Sequence, residues 1–176
     1  MDIATAVLMA DYNRWMNQRL YDAAAHLSED DLMRDRGAFF GSLFGTLNHI
    51  AVGDTIWLRR FAQPEQAAAT RRALYEFPSP TSLREPLAGS LADLRRYRAA
   101  LDACIVDWAG TLTVDLLAST LSYRNTSGQA RVKPFGLLVQ HYFNHQTHHR
   151  GQATTLLFQA GVDVGDTDLL ARIPDA

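Results

Sequence analysis

Apolar residues recur at three- and four-residue steps along four long stretches of this chain. Prolines, glycines and polar clusters separate the stretches. That period belongs to the α-helix, and a chain so patterned must bury four helical stripes against one another. The first stretch, 2–27, carries Leu8, Tyr12, Trp15, Met16, Leu20, Ala23 and Leu27, and ends at the polar break Ser28-Glu29-Asp30-Asp31. The second, 39–62, places Phe40, Leu43, Leu47, Ile50, Asp54, Trp57, Leu58 and Phe61 on one side. Pro64, Pro78 and Pro80 bracket a connection with a short helix through Ala67–Leu74, long enough to cross the end of a bundle. A third helix is expected to start between Ser82 and Leu87, with Ser82 and Glu85 as a capping box. It continues through Leu91, Leu94, Leu101, Ile105 and Trp108, with Arg98 as the gap, and stops at Gly110. Pro134 suits the first position of a fourth helix running to about Ala160, with Gly161 as its stop.

Residues 111–133 follow another rule. Leu121 and Tyr123 alternate with polar residues, as do Ala130 and Val132, and Asn125-Thr126-Ser127-Gly128 supplies turn chemistry between them. The expectation is an all-α, up-and-down four-helix bundle, one domain over 1–176, with a small β-hairpin lid between helices three and four. The tail from Val162 reads mostly as loop.

Lys plus Arg number 17 against 19 Asp plus Glu, a net charge of −2, so the basic excess of a nucleic-acid binder is missing. The single cysteine, Cys104, cannot form an internal disulfide, and it reads as inert packing beside Ile105. The N-terminus has no basic n-region, and no apolar run approaches the ~18 residues of a membrane span. A cytoplasmic protein with neither membrane nor nucleic-acid partner is expected.

The histidines set the direction for function. Of six, four stand at His141, His145, His148 and His149. With Phe135 at zero on a wheel of ~100° per residue, His149 falls near −40° and His145 near −80°, on a row with core leucines. His141 and His148 lie further toward solvent. The i,i+4 spacing puts His145 and His149 one turn apart, and two such imidazoles can hold one Zn²⁺-like ion at ~2.0–2.1 Å per bond. Gln146 stands where a zincin would have its glutamate, which disfavours a protease. A third ligand must come from another helix: His49, His26 or a carboxylate such as Asp54. Periodicity permits His49, on a row with Gly45, Val52, Gly53 and Ile56, without selecting it. Asp54 and Arg150 both occupy apolar stripes, so an Asp54–Arg150 ion pair is expected to clamp helices two and four. Arg95, Arg96 and Arg98 read as a solvated face, and Trp15, Trp57 and Trp108 as core or interface aromatics. Asn13, Asn17, Tyr12, Tyr123 and Arg124 read as packing or surface residues.

Leu47-Asn48-His49-Ile50, Asp54-Thr55-Ile56-Trp57-Leu58-Arg59-Arg60 and Phe143-Asn144-His145-Gln146-Thr147-His148-His149-Arg150-Gly151-Gln152 together resemble the DinB/YfiT-like family of metalloenzymes. This family is distinct from the DNA polymerase that shares the DinB name. The lead-in at 37–47 and the Tyr123…Gly128 hairpin extend the likeness over nearly the whole chain. The resemblance implies a four-helix bundle with one divalent metal held by His49, His145 and His149, and a homodimer.

Zinc and nickel lead as the ion, and iron or manganese is compatible with the ligands. The resemblance also implies chemistry on a small-molecule substrate, with a low-molecular-weight thiol attacking an electrophile in a transferase-type reaction. Hydrolysis of small esters or amides, or metal binding without turnover, are the alternatives. Hydrolysis calls for a general base near the metal, and the His145–His149 row holds no carboxylate; Gln152 is its nearest polar residue.

Overall fold

A computed structural model describes residues 1–175. The protein is mostly helical, with one small antiparallel sheet. Four helices are long: α1 (Ile3–Ala24), α3 (Leu43–Phe61), α5 (Leu91–Ala109) and α7 (Phe135–Gln159). Three are short: α2 (Glu29–Met33), α4 (Ala68–Ala73) and α6 (Val114–Ala118). The strands β1 (Thr120–Arg124) and β2 (Ala130–Pro134) pair in the register Thr120↔Pro134 to Arg124↔Ala130, with the turn Asn125–Gln129 between them. No helix is long and apolar enough to cross a membrane among the described residues.

Side-chain caps fix most helix starts. Asp2 accepts from the Thr5 amide, Ser42 from Gly45 and Ser90 from Asp93, each relieving one orphaned N–H of a first turn. These caps correct two expected boundaries. The second long helix begins at Leu43 rather than 39, because Phe39 to Gly41 form a tight turn that Ser42 then caps. The third begins at Leu91, not between Ser82 and Leu87. The Leu87 amide is taken by Asn48 Oδ1 at 2.9 Å, and Glu85 turns back to the Thr81 amide at 2.7 Å, so this segment is held as loop. The polar break after the first helix folds into α2, capped by Ser28.

The long helices form a ring: α1 packs against α5 and α7, and α3 packs against the same two. Their apolar side chains divide into two clusters. One gathers Leu58, Phe61, Ile105, Trp108, Phe135 and Tyr142; the other gathers Leu20, Tyr21, Leu43, Leu47, Leu94 and Leu157. Along each long helix a short polar interval separates them: Asn13 and Asn17 on α1, Asp54 on α3, Arg98 and Asp102 on α5, and Gln146 and Arg150 on α7. All of those named here are buried.

This polar layer overturns the expected Asp54–Arg150 clamp. Asp54 Oδ2 instead accepts from Arg98 Nη1 at 2.6 Å, and Arg98 Nη2 lies 2.9 Å from Asp102 Oδ1. Asn17 Nδ2 and Asn13 Nδ2 donate to Asp102 Oδ1 at 3.0 and 3.4 Å, and Arg150 donates to Asn13 Oδ1. Asp54 and Arg150 thus stand at opposite ends of one chain of polar contacts that ties all four long helices. Arg98 does not share a solvated face with Arg95 and Arg96. It fills the gap in the apolar stripe of α5, where the two carboxylates offset the cost of burying its charge.

Candidate metal centre

His49 comes from α3, and His145 and His149 from adjacent turns of α7. One ligand nitrogen from each lies within 4.8 Å of the others, an arrangement that could hold a metal ion. Ring centroids are 4.6 Å apart for His49–His149, 4.4 Å for His145–His149 and 5.3 Å for His49–His145.

The close approach of α7 to α3 depends on Gly53. A Cβ built there would stand 3.0 Å from His145 Cε1, so the missing side chain makes room for the imidazole. Opposite, Phe40 stacks on His49 with centroids 3.7 Å apart and meets His149 edge-on at 5.6 Å. The tight turn before α3 thereby closes one side of the cluster.

Hydrogen bonds orient two of the rings. His49 Nδ1 donates to the Leu83 carbonyl at 3.0 Å. A carbonyl only accepts, so Nδ1 carries the proton and Nε2 keeps its lone pair. His149 Nδ1 donates to Gln152 Oε1 at 2.8 Å, with the same consequence. Such outer contacts fix ring orientation in metal sites. His145 Nδ1 is buried without a hydrogen-bond partner. Nitrogen lone pairs converge here with no donor to satisfy them, and the donor set fits a divalent cation.

Burial keeps all three imidazoles neutral. It depresses His49 to about 4, against the smaller upward pull of the Leu83 hydrogen bond. It depresses His145 to about 3, helped by repulsion from the neighbouring histidines, and lowers His149 as well. Neutral imidazole is the form that binds metal, so no proton need be removed at pH 7.

The other candidate ligands stand apart. His26 Nδ1 faces carbonyls of its own helix, at Asp22 and Ala23. Asp54 is committed to Arg98. His148 is exposed, and His141 packs edge-on against Trp57 at 5.4 Å, outside the triad. Several supporting groups were not assigned a role from sequence. The Leu83 carbonyl belongs to the connection after α4, which Asn48 pins by bonding both Glu85 O at 2.8 Å and the Leu87 amide. An asparagine beside His49 and a proline-bracketed connection were the only sequence traces of that contact.

Beside the triad lies a pocket of about 240 Å³. It is lined by His49, Gly53, Trp57 and Arg60 of α3, His141 and His145 of α7, and Tyr123 and Asn125 of the hairpin.

The profile of the DinB family matches residues 1–175. The chain belongs to the DinB family. The protein named Protein DinB from Bacillus subtilis (strain 168) is similar to this DinB-family chain, at 26% identity over 165 residues, covering 93% of this chain and 90% of the relative. No solved structure matches it.

Proposed function

We propose that this DinB-family protein is a divalent-metal-dependent enzyme in which His49, His145 and His149 are the ligands. Its reaction is the attack of a low-molecular-weight thiol, as its thiolate, on a small electrophile: a carbon–sulfur bond forms as the leaving group departs with the electron pair of the bond that breaks, and the thiol proton passes to solvent. We also read the ring of four long helices as a four-helix bundle, and assign the protein to the cytoplasm as a homodimer.

The observation that carries the thiol reading is the lining of the pocket beside the triad. It contains imidazoles, aromatic rings, amide and hydroxyl groups and one guanidinium, but no carboxylate. Hydrolysis of an ester or amide needs a general base to take a proton from water; no carboxylate stands here to serve, and His141, the one imidazole of the lining outside the triad, packs edge-on against Trp57. A thiol has an ordinary pKa near 8.5, far below that of water, and can act without such a base once its anion is stabilised. A zinc or nickel ion at the triad supplies the positive charge that stabilises that anion. The protein's own groups do the rest. The neutral imidazoles offer lone pairs without prior deprotonation. Phe40 shields one side from water, and the pocket on the other side receives the electrophile. Leu83 and Gln152 hold His49 and His149 in their tautomers.

The test begins with metal content, measured by mass spectrometry on tag-free protein after incubation with zinc and with nickel. About one equivalent, lost in His149→Ala, is expected. The loaded protein is then assayed in parallel for thiol conjugation to a small electrophile and for ester hydrolysis. Thiol-dependent turnover supports the proposal. Hydrolysis without thiol overturns the reaction class, and one equivalent of metal without either activity overturns the enzyme reading.

A further inference from the structure

Arg60 stands in the wall of the triad pocket with its charge unanswered by any carboxylate. It is half-buried near the C-terminal end of α3. Its guanidinium carbon lies 4.6 Å from the Trp57 ring centroid and 4.9 Å from that of Tyr123, so two aromatic rings flank the cation. Nη2 donates to the Arg124 carbonyl at 3.0 Å. No Asp or Glu forms an ion pair with Arg60 among the described residues, and none lines the pocket. Arg95, Arg96 and Arg98 on α5 each have a carboxylate partner, and Arg59, the adjacent residue, is spent on the carbonyls of Leu74 and Phe77.

A guanidinium offers five N–H donors in a planar fork, and the single carbonyl bond uses only part of that capacity. The rings of Trp57 and Tyr123 hold the fork in place, so little side-chain freedom remains to be lost when an anion binds. At about 240 Å³, the pocket lies below the range of drug-sized sites, which restricts its occupant to a small molecule. The aromatic walls favour a flat one.

We propose that Arg60 forms a carboxylate-binding subsite, and that the substrates of this centre are small, flat organic acids anchored at Arg60 with their reactive end toward the histidine triad. This rests on the triad pocket being the substrate site. It commits to a carboxylate rather than a phosphate.

The test follows the Trp57 indole N–H resonance of tag-free, ¹⁵N-labelled full-length protein. Samples loaded with zinc and samples treated with chelator are titrated with benzoate, benzamide and phenyl phosphate. Benzoate should bind at least tenfold more tightly than benzamide in both states, because a charge-assisted hydrogen bond is worth roughly that factor or more. Arg60→Met should lose this preference, leaving benzamide affinity and zinc stoichiometry unchanged. If Arg60 served only to latch the hairpin through Arg124, the variant would weaken both ligands alike, and the proposal fails. It fails too if wild-type protein binds benzoate and benzamide equally, an outcome that needs no variant to fold. Benzoate binding that requires zinc and survives Arg60→Met places the carboxylate on the metal and overturns the subsite. Phenyl phosphate binding tenfold above benzoate overturns the choice of anion. If zinc does not bind but the Arg60-dependent preference persists in chelated protein, the subsite stands and the metal reading falls.

Discussion

Arg98 Nη1 donates to Asp54 Oδ2 across 2.6 Å, joining α5 to α3 inside the polar layer between the two apolar clusters. Both side chains are fully buried, and the same guanidinium also faces Asp102 at 2.9 Å. One cation therefore compensates two carboxylates, while Arg150 closes the layer at its far end through Asn13. Burial pushes the Asp102 carboxyl up to about 6, even with Arg98 and Asn17 pulling it down. Arg98→Met should accordingly destabilise the protein by about 3–5 kcal/mol, since it strands two buried carboxylates. Asp54→Asn should cost less, because Arg98 keeps Asp102. Urea unfolding of both variants gives the order, and a larger loss in Asp54→Asn would show that Arg98 is not the shared partner.

The triad makes a sharp division among six histidines. Alanine at His49, His145 or His149 should reduce zinc affinity by at least a hundredfold, whereas His141→Ala and His148→Ala should leave it within about threefold, because neither ring joins the cluster. Competition titration against a chromophoric chelator measures all five. Loss of binding in His141→Ala with retention in His145→Ala would reverse the assignment.

Gly53→Ala separates metal affinity from stability. The new methyl would meet His145 Cε1 at 3.0 Å and turn the imidazole from its position. Zinc affinity should fall about tenfold or more, as it does when outer contacts of a metal ligand are disturbed. Replacing a mid-helix glycine by alanine favours the helix by roughly 0.5–1 kcal/mol, so the melting temperature of metal-free protein should not drop by more than a degree or two. A variant with wild-type zinc affinity would mean that α7 does not depend on this close approach.

Gln152→Ala removes the acceptor that holds His149 Nδ1 at 2.8 Å. A loss of about 10–100-fold in zinc affinity is expected, with Gln152→Glu retaining affinity because its carboxylate still accepts. Calorimetric titration of the two variants tests the orienting role directly.

Metal-free protein should lose stability as the pH falls from about 6.5 toward 4. His49 and His145 are depressed by burial to about 4 and about 3, so the unfolded chain binds protons that the folded chain refuses. Asp102, raised by burial to about 6, acts in the opposite sense between the ordinary aspartate value and 6, and Asp54, also raised by burial, acts with it. Two such carboxyls stand against three histidines, since His149 is also lowered by burial. Urea midpoints in chelator should therefore be lower at pH 5.0 than at pH 7.5. The His49→Gln/His145→Gln double variant should show a shallower decline; an unchanged slope would assign the effect elsewhere.

Much of this architecture was written in local chemistry. Apolar period set the four long helices, alternation and the Asn125–Gly128 turn set the hairpin, and i,i+4 spacing put His145 and His149 on one face of α7. These are properties of a few consecutive residues, and the sequence determined them alone. The wheel also marked Asp54 and Arg150 as charges in apolar stripes, which is why a buried ion pair was expected, whereas Arg98 read as part of a solvated face. Which charge meets which was decided only by tertiary packing. Pairing depends on the heights at which separate helices dock, and Arg98 of α5 reaches Asp54 where Arg150 of α7 does not. His49 was likewise one of several allowed third partners until packing at Gly53 brought α7 against α3. The Leu83 carbonyl and Phe40 left little trace in periodicity, because both lie in irregular segments whose positions follow from contacts made far along the chain.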